Sequence, residues 1–134
     1  EWISPDSDAD MWQVVEGQGS LFHPSFAGVS LGLLHGSQPD AFVVCHETTR
    51  THMRNVKQPL PSIQDVIDLT ITCGKLTNPG IRCVGIAVNT HALDEATAAS
   101  TIDEIAQAHG LPAVDPIRNG VVAIVTRLKQ EFDL

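Results

Sequence analysis

The chain has 134 residues, of which 43% are hydrophobic and 18% are charged, a balance typical of one globular domain with a hydrophobic core. Its formal net charge is −8, from eight Lys and Arg against sixteen Asp and Glu, which disfavours a general surface for nucleic acid or anionic membranes. No run of eighteen apolar residues occurs, so no membrane-spanning helix is expected.

Four short segments have the pattern of buried strands. They are residues 11–15, 41–45, 82–88 and 112–115. Each is rich in β-branched residues and bounded by Gly, Pro, Asn or Asp, which favours strands over helices. Each is apolar on both faces, as the strands of a buried parallel sheet are.

A helical pattern follows each predicted strand. Residues 26–35 are apolar all round, which predicts a short buried helix ended by Gly36. Amphipathic or capped patterns predict three more helices, over residues 62–76, 94–109 and 120–132. The order β-α-β-α-β-α-β-α predicts an α/β fold, with a mostly parallel sheet, right-handed crossovers and helices on both faces.

The cysteines and the first residues indicate a cytoplasmic protein. Cys45, Cys73 and Cys83 lie in apolar segments without a CxxC spacing, which is typical of reduced core thiols. A buried strand cysteine such as Cys45 is also a poor nucleophile. The first residues lack the basic region of a signal peptide. The chain opens without Met, which suggests a piece of a longer protein.

Three loops leave from the predicted carboxyl ends of the strands. They are residues 16–28, 46–61 and 89–93. In open parallel sheets, ligands bind beyond these strand ends. Loops as long as residues 46–61 are usually functional or disordered in compact domains. The sequence therefore predicts a ligand site at this rim of the sheet.

The first of these loops joins a carboxylate to two glycines. Glu16 ends a predicted strand, where its carboxylate can contact a metal-bound water, a ribose hydroxyl or an amine, or can cap a nearby helix. The backbone N–H groups of Gly17, Gln18, Gly19 and Ser20 can face an anion. The same four residues can equally form a tight turn.

Histidines supply further candidates. His23 precedes Pro24, which favours an extended backbone, and a neutral imidazole there can act as a general base. His46 and Glu47 end the second strand, but neighbouring strand residues point to opposite faces. With no HExxH or CxxC pattern, no transition-metal site is predicted.

Two motifs of common enzyme classes lack their structural context or do not occur. The GxSxG string at residues 28–32 lies inside the helix predicted over residues 26–35 and forms no elbow between a strand and a helix, which disfavours a serine hydrolase. No GxxxxGK[ST] is present, so the protein either does not use a P-loop or carries it upstream of Glu1.

The loop of residues 46–61 holds a local cluster of positive charge. Arg50, Arg54 and Lys57 fall within eight residues, with His46 and His52 among them. In an acidic protein such a cluster can bind an anion, or it can be a solvated basic loop.

Long stretches of the sequence are specific to one family. They are VVEGQGSLFHPSFAGVSLGLLHGSQPDAFVVCHETTRTH (14–52), QPLPSIQDVIDL (58–69), LTNPGIRCVGIAVNT (76–90) and GLPAVDPIRNG (110–120). They resemble a bacterial and archaeal family that was long a domain of unknown function, often labelled an NAD-dependent epimerase/dehydratase. Its members linked to D-amino-acid metabolism are D-glutamate N-acetyltransferases that use acetyl-CoA.

The resemblance implies a domain organisation. In that family a Rossmann-like N-terminal domain precedes a P-loop domain similar to dethiobiotin synthetase. Residues 1–134 would then be the C-terminal portion of the P-loop NTPase-like domain, with the P-loop itself upstream. The expected partners are the missing N-terminal half, a small-molecule substrate and further copies in a homo-oligomer, with neither nucleic acid nor membrane.

The resemblance also implies an activity, the transfer of an acetyl group from acetyl-CoA to the amine of a small acidic amino acid such as D-glutamate. Glu16 and the backbone of residues 17–20 would face the cofactor phosphates, and Asn89 would contact the adenine base. Acyl transfer to an amine needs a base and donors for an oxyanion. Glu16 or His23 is the candidate base, and the N–H groups of residues 17–20 are candidate donors.

An acidic amino acid carries two carboxylates, which arginine can pair bidentately. The candidate substrate-binding residues are accordingly His46, Glu47, Arg50, His52 and Arg54. The same cations could instead bind the cofactor phosphates.

Other activities remain as alternatives. In an ATP-dependent ligase or phosphotransferase of the dethiobiotin synthetase type, Glu16 would assist a magnesium ion. The chain could also be an assembly module without activity of its own. A dehydrogenase or epimerase is disfavoured, because no GxGxxG follows a strand with an acid about twenty residues later.

Overall fold

A three-stranded parallel sheet lies at the centre of the fold, in the order β1-β2-β3. The computed structural model describes residues 11–133, so the predicted domain of residues 1–134 extends beyond it at both ends. The elements are α1 (Ala27–Ser37), β1 (Ala41–Glu47), α2 (Ile63–Gly74), β2 (Arg82–Asn89), α3 (Glu95–His109), β3 (Ala113–Val114) and α4 (Val122–Glu131). The predicted α/β class and parallel sheet are confirmed.

Helices cover both faces of the sheet, as predicted. On the side of α2 and α3, the buried core residues are Val44, Ile63, Ile67, Ile86, Val88, Ile102 and Ala113. On the side of α4, they are Val84, Val114 and Ile124. The two cores fix the strand ends relative to one another, and so fix the rim from which the loops leave.

A bulge in β2 shapes the core under α4. The pairing with β1 shifts between Phe42 and Val43, which leaves Val84 without a partner on β1. Val84 is buried with Ile124 of α4. A Cβ added at Gly85 would lie 2.7 Å from Cγ1 of Ile124, so α4 packs this closely only because residue 85 is glycine.

The helix ends follow from side-chain caps that the sequence contains. The Ser62 side chain accepts from the backbone N–H of Asp65, and the Asp65 carboxylate accepts in return from the N–H of Ser62. At the start of α3, the Asp94 carboxylate accepts from the N–H of Thr97 at 2.9 Å. Gly110 ends α3 with φ 62°, a left-handed conformation that glycine adopts without a Cβ clash.

Residues 11–15 do not form the predicted first strand. Residues 11–18 have no regular secondary structure and pair with none of the described strands. The side chain of Val14 is 94% exposed and that of Trp12 is 53% exposed. A strand is stabilised by hydrogen bonds to a neighbouring strand, and nothing within residues 11–133 supplies one here. The prediction of eight alternating elements is therefore wrong at its first strand.

The first helix is not buried, although its composition predicted burial. α1 forms over Ala27–Ser37, yet none of its residues is buried. Among the helices and strands it packs mainly on α2, and Val29 is 57% exposed. A helix that is apolar all round needs neighbours on several sides. Among the described helices and strands, α2 is the main neighbour of α1.

The prediction that all three cysteines are core thiols is wrong for Cys45. All three cysteines are free, but Cys45 is exposed, whereas Cys73 and Cys83 are partly buried. No helix within residues 11–133 combines the length and apolar character needed to cross a membrane.

β1 is covered on the α2 side, but on the opposite face it is covered only at its start, where Ala41 packs with the core under α4. Phe42 and Val44 pack on the α2 side, so by alternation Val43 and Cys45 point to the opposite face, where both are exposed. Among the described strands, β1 pairs only with β2. Because both faces of a parallel sheet are normally covered, this edge of the sheet is incomplete within residues 11–133.

Candidate functional site

A cavity of about 670 Å³ lies at the carboxyl ends of the three strands. Its lining residues are Cys45, His46, Glu47, Arg50, Leu60, Ala87, Val88, Asn89, His91, Asp115, Pro116 and Ile117. Its size is within the range of small-molecule sites, roughly 300–1,000 Å³. The loops of residues 46–61 and 89–93 thus meet at one cavity, whereas residues 16–28 do not line it.

Asp115 is the most enclosed charged group at this cavity. It directly follows β3 and is only 4% exposed. Its Oδ2 accepts from the hydroxyl and, at 3.1 Å, from the backbone N–H of Thr90. Its Oδ1 accepts from the N–H groups of Ile117 and Arg118, at 2.9 and 3.2 Å. These bonds, above all that from the Thr90 hydroxyl, outweigh burial and lower the pKa of Asp115 to about 2.

Arg118 also connects the loop after β3, in which it lies, with the loop after β2. Its Nη2 donates to the carbonyl of Leu93 at 2.8 Å and to that of Thr90 at 3.4 Å. Its Nε lies 3.9 Å from Oδ2 of Asp115. Thr90, Asp115 and Arg118 form what we call the strand-end clasp, which ties the loop after β2 to the loop after β3.

The strand-end clasp is not predicted by the sequence patterns. The available signal was that Asp115 ends a predicted strand and Thr90 lies two residues beyond another, at the rim where ligands bind. Twenty-five residues separate them along the chain. No local pattern indicates that such distant residues are bonded.

Asn89, the predicted adenine contact, does line the cavity. Its Oδ1 accepts from the backbone N–H of His91 at 3.1 Å and lies 3.1 Å from Nδ1 of the same residue. The exposed Asn89 side chain is therefore oriented, with its oxygen engaged. Because no other described residue bonds to its Nδ2, the amide can donate to a ligand.

Three predicted substrate-binding residues, His46, Glu47 and Arg50, lie on the β1 side of the cavity. Arg50 donates from Nη2 to Oε2 of Glu47 in a salt bridge, with side chains 43% and 26% exposed. Desolvation lowers the pKa of His46, although the charge of Glu47 opposes this effect. A neutral imidazole and an ion pair thus share one wall.

The other two, His52 and Arg54, lie on the same loop but outside the cavity lining. His52 forms an isolated antiparallel bridge with Pro59, and Met53 anchors the turn, since it is only 8% exposed. The Arg54 and Lys57 side chains are exposed. The bridge and the buried Met53 thus hold the long loop, with the charges of Arg54 and Lys57 on the outside and that of Arg50 at the cavity.

His23, one candidate base, is buried and has both ring nitrogens in hydrogen bonds. Its Nδ1 accepts from the backbone N–H of Ser25 at 3.1 Å. That bond leaves the ring proton on Nε2, which lies 2.9 Å from the carbonyl of Arg54. His23 thus joins the glycine loop to the basic loop. This arrangement favours a positioning role over proton transfer.

The remaining candidates lie in the loop before His23. Glu16, Gly17, Gln18 and Gly19 are exposed, and Ser20 is partly buried. At Gly19, φ is 42° and an added Cβ would lie 2.8 Å from Cβ of Phe26. A larger residue would clash at this turn, so the local fold requires glycine there.

Two curated relatives match nearly the whole chain. A D-glutamate N-acetyltransferase from Pseudoalteromonas sp is 51% identical over 129 residues, which is 96% of this chain. A D-glutamate N-acetyltransferase from Tritonibacter scottomollicae is 45% identical over 129 residues. The chain spans 39% of the length of each relative.

A solved structure and a family model agree with these matches. The crystal structure of a DUF1611 family protein from Anabaena variabilis has a TM-score of 0.79 and 36% identity, and the match covers 86% of this chain and 34% of that one. The family model described as a domain of unknown function (DUF1611_C), P-loop domain, matches residues 1–125. The chain therefore belongs to the DUF1611 family.

Proposed function

We propose that this chain is part of an N-acetyltransferase, which transfers the acetyl group of acetyl-CoA to the amine of a small acidic amino acid, D-glutamate first among them. The observation that carries the proposal is the identity of 51% and 45% to two proteins named D-glutamate N-acetyltransferase, across 96% of this chain. Since the chain spans 39% of their length, the activity is proposed for the full-length protein.

Residues 1–134 would be the C-terminal portion of a P-loop-like domain, with the P-loop and a Rossmann-like domain upstream. The family is described as a P-loop domain, yet no GxxxxGK[ST] occurs in these residues. The open edge of β1 and its uncovered face agree with a missing neighbour of this kind.

The β2–β3 side of the cavity is the proposed place for the adenine base of acetyl-CoA. The Nδ2 group of Asn89 can donate to a ring nitrogen of the base. Ile117, 94% exposed at the cavity wall, offers apolar surface to the ring. The phosphates would lie against the backbone N–H groups of residues 17–20, which are suited to anions.

The β1 side of the cavity is the proposed place for the amino acid. Arg50 would pair with one substrate carboxylate, and Glu47, now paired with Arg50, would attract the substrate ammonium group. His46 in the cavity wall would offer a hydrogen bond to the second carboxylate, whereas His52 and Arg54, outside the lining, would add positive potential from a greater distance. An anionic substrate would then be attracted locally to a chain of net charge −8.

Glu16 is the preferred base, since both nitrogens of His23 are in hydrogen bonds. Because Glu16 does not line the cavity of residues 11–133, the rest of the full-length protein would have to bring it to the substrate amine. The base removes a proton from the substrate ammonium, and the free amine attacks the thioester carbonyl. The tetrahedral oxyanion is stabilised by backbone N–H donors. Collapse of this intermediate breaks the C–S bond and expels the CoA thiolate, and the second proton of the attacking nitrogen passes to the thiolate, which leaves the neutral amide and the CoA thiol.

The test uses the full-length protein with acetyl-CoA and D-glutamate, and measures thiol release together with the N-acetylated product. Glu16→Gln should lower kcat by roughly 10²–10⁴, as the loss of a general base does. Glu95→Gln is the matched control, because Glu95 is an exposed acid in the first turn of α3.

Wild-type protein that transfers no acetyl group would contradict the proposal. ATP turnover without dependence on acetyl-CoA would instead favour a ligase or phosphotransferase with magnesium, an alternative supported by the P-loop description of the family. If Glu16→Gln transfers acetyl groups at the wild-type rate, Glu16 is not the base.

A further inference from the structure

The strand-end clasp contains a buried charge whose position calls for an explanation. Thr90 is fully buried and Asp115 is 4% exposed. A buried carboxylate is costly unless hydrogen bonds replace its lost hydration, and a well-packed apolar residue often stabilises a core equally well. The contribution of Asp115 therefore lies in the hydrogen bonds that it accepts and not in the space that it fills.

The residues beside the clasp are the ones that line the cavity. Asn89 and His91 flank Thr90, and both side chains are exposed at the cavity wall. Pro116 and Ile117 directly follow Asp115 and form the facing wall. The bonds that Asp115 accepts thus fix the backbone at or next to residues that a ligand would touch.

Each carboxylate oxygen of Asp115 accepts hydrogen bonds from a different wall of the cavity. Oδ2 accepts from the N–H and hydroxyl of Thr90, in the loop after β2. Oδ1 accepts from the N–H groups of Ile117 and Arg118, in the loop after β3. A single planar group therefore sets the distance between the walls.

We infer that Asp115 is a positioning residue for the part of the cavity that binds an adenine nucleotide, acting through Thr90 on Asn89 and through its own loop on Ile117. The inference rests on the proposed function, because the nucleotide part is that of acetyl-CoA. It assigns Asp115 a role in affinity for the donor and none in proton transfer.

A purely structural role is the rival explanation, and Asp94 provides the matched case. Asp94 also accepts from a backbone N–H and a threonine hydroxyl, those of Thr97, at 2.9 and 2.7 Å. It caps α3 and does not line the cavity. The same Asp→Asn substitution at both positions therefore separates positioning from stability.

The experiment uses the full-length protein with coenzyme A and ADP as separate calorimetric probes. Asp115→Asn should raise the Kd of both probes and the KM for acetyl-CoA by about tenfold, while the KM for the amino acid changes less than about twofold; tenfold corresponds to the loss of roughly one hydrogen bond. Asp94→Asn should lower the melting temperature and leave every Kd and KM unchanged.

Two variants of Thr90 extend the test if Asp115→Asn does not fold. Thr90→Val removes the hydroxyl and should weaken coenzyme A binding to a similar degree. Thr90→Ser keeps the hydroxyl and should restore wild-type affinity.

The outcomes are distinct. If Asp115→Asn or Thr90→Val lowers the melting temperature as Asp94→Asn does but binds both probes like wild type, the positioning role is wrong. If wild type binds ADP but not coenzyme A, the proposal that acetyl-CoA is the donor is wrong. The ADP affinities of the variants still decide the role of Asp115. If wild type binds neither probe, both proposals are wrong.

Discussion

On the β2–β3 side of the cavity, buried hydrogen bonds hold the loops in place, whereas on the side of residues 11–18 the candidate residues lie in solvent. The clasp leaves Thr90 and Asp115 almost without exposed surface. Glu16 and Gly17, by contrast, are exposed in a segment without secondary structure. The comparison indicates that the clasped side is complete within residues 11–133, whereas under the proposed function the Glu16 side would be completed by the rest of the full-length protein.

Exposed apolar side chains occur on more than one side of the molecule. Val14 and Val15 of the unpaired segment are exposed, and so is Val43 on β1, whereas Ile117 is 94% exposed at the cavity. Full burial of one such side chain contributes roughly 1.5–3 kcal/mol. Under the proposed function, Val43 marks where a missing neighbour of the sheet would pack, because it lies on the uncovered face of β1.

The largest expected effect comes from separating this chain from the rest of the protein. Residues 1–134 alone should show no acetyl transfer above the uncatalysed rate, since the Glu16 side lacks its neighbours. They should also self-associate at micromolar concentration, because β1 has an open edge. Light scattering after size exclusion measures the association, and a thiol-release assay measures the activity.

Adding the remaining part of the protein as a second chain should restore both a defined size and activity. A well-folded, monodisperse monomer of residues 1–134 would contradict this division. So would acetyl transfer by that monomer, because it would mean that both halves of the site are complete within the chain.

The sequence predicted those elements whose causes are local. Ser62 and Asp65 are three residues apart, so their capping box at the start of α2 could be predicted. Residues 11–15 have the composition of a strand, but a strand also needs a partner, and residues 11–133 do not supply one. The segment therefore has strand composition and no strand.

The sequence predicted only part of the site, because some of its contacts join residues that are far apart along the chain. The rim was expected because parallel strands place their carboxyl ends together, and Asn89, His46, Glu47 and Arg50 do line one cavity. The bond between Thr90 and Asp115 joins residues 25 positions apart, so only the packing of β2 beside β3 reveals it. The contact of His23 with Arg54, 31 positions away, is of the same kind.

The second largest effect is expected from substitutions in the basic loop, residues 46–61, on the β1 side of the cavity. Arg50→Lys should raise the KM for the amino acid by at least about tenfold and leave the KM for acetyl-CoA nearly unchanged, because lysine lacks the bidentate fork that pairs with a carboxylate. The same result is expected for Arg54→Lys if that side chain turns to the substrate. Steady-state kinetics of the full-length protein, with each substrate varied in turn, measure both constants.

Arg127→Lys is the matched control, since Arg127 also pairs with a glutamate, Glu131, but on α4 away from the cavity. A rise in the KM for acetyl-CoA alone would assign the loop to the cofactor phosphates. Unchanged constants for both arginines would mean that the loop is merely solvated, and the acidic substrate would lose its support from these residues.

The smallest expected effect lies on the clasped side, at Asn89. Asn89→Ala should weaken coenzyme A binding by about tenfold, roughly the loss of one hydrogen bond in a desolvated site. Asn89→Asp sharpens the test, because aspartate can still accept from the N–H of His91 but has no donor. If Nδ2 bonds to the base, the aspartate variant should bind at least as weakly as the alanine variant. If it binds as tightly as wild type, Asn89 only orders the turn at His91, and the adenine would have to be held elsewhere.

Asn78→Ala is the control, since the Nδ2 of Asn78 donates to the carbonyls of Gln38 and Pro39, at 3.0 and 3.1 Å, outside the cavity lining. That variant should lose stability while its affinity for coenzyme A stays unchanged, because a clasped wall depends on its own bonds and not on the distant turn.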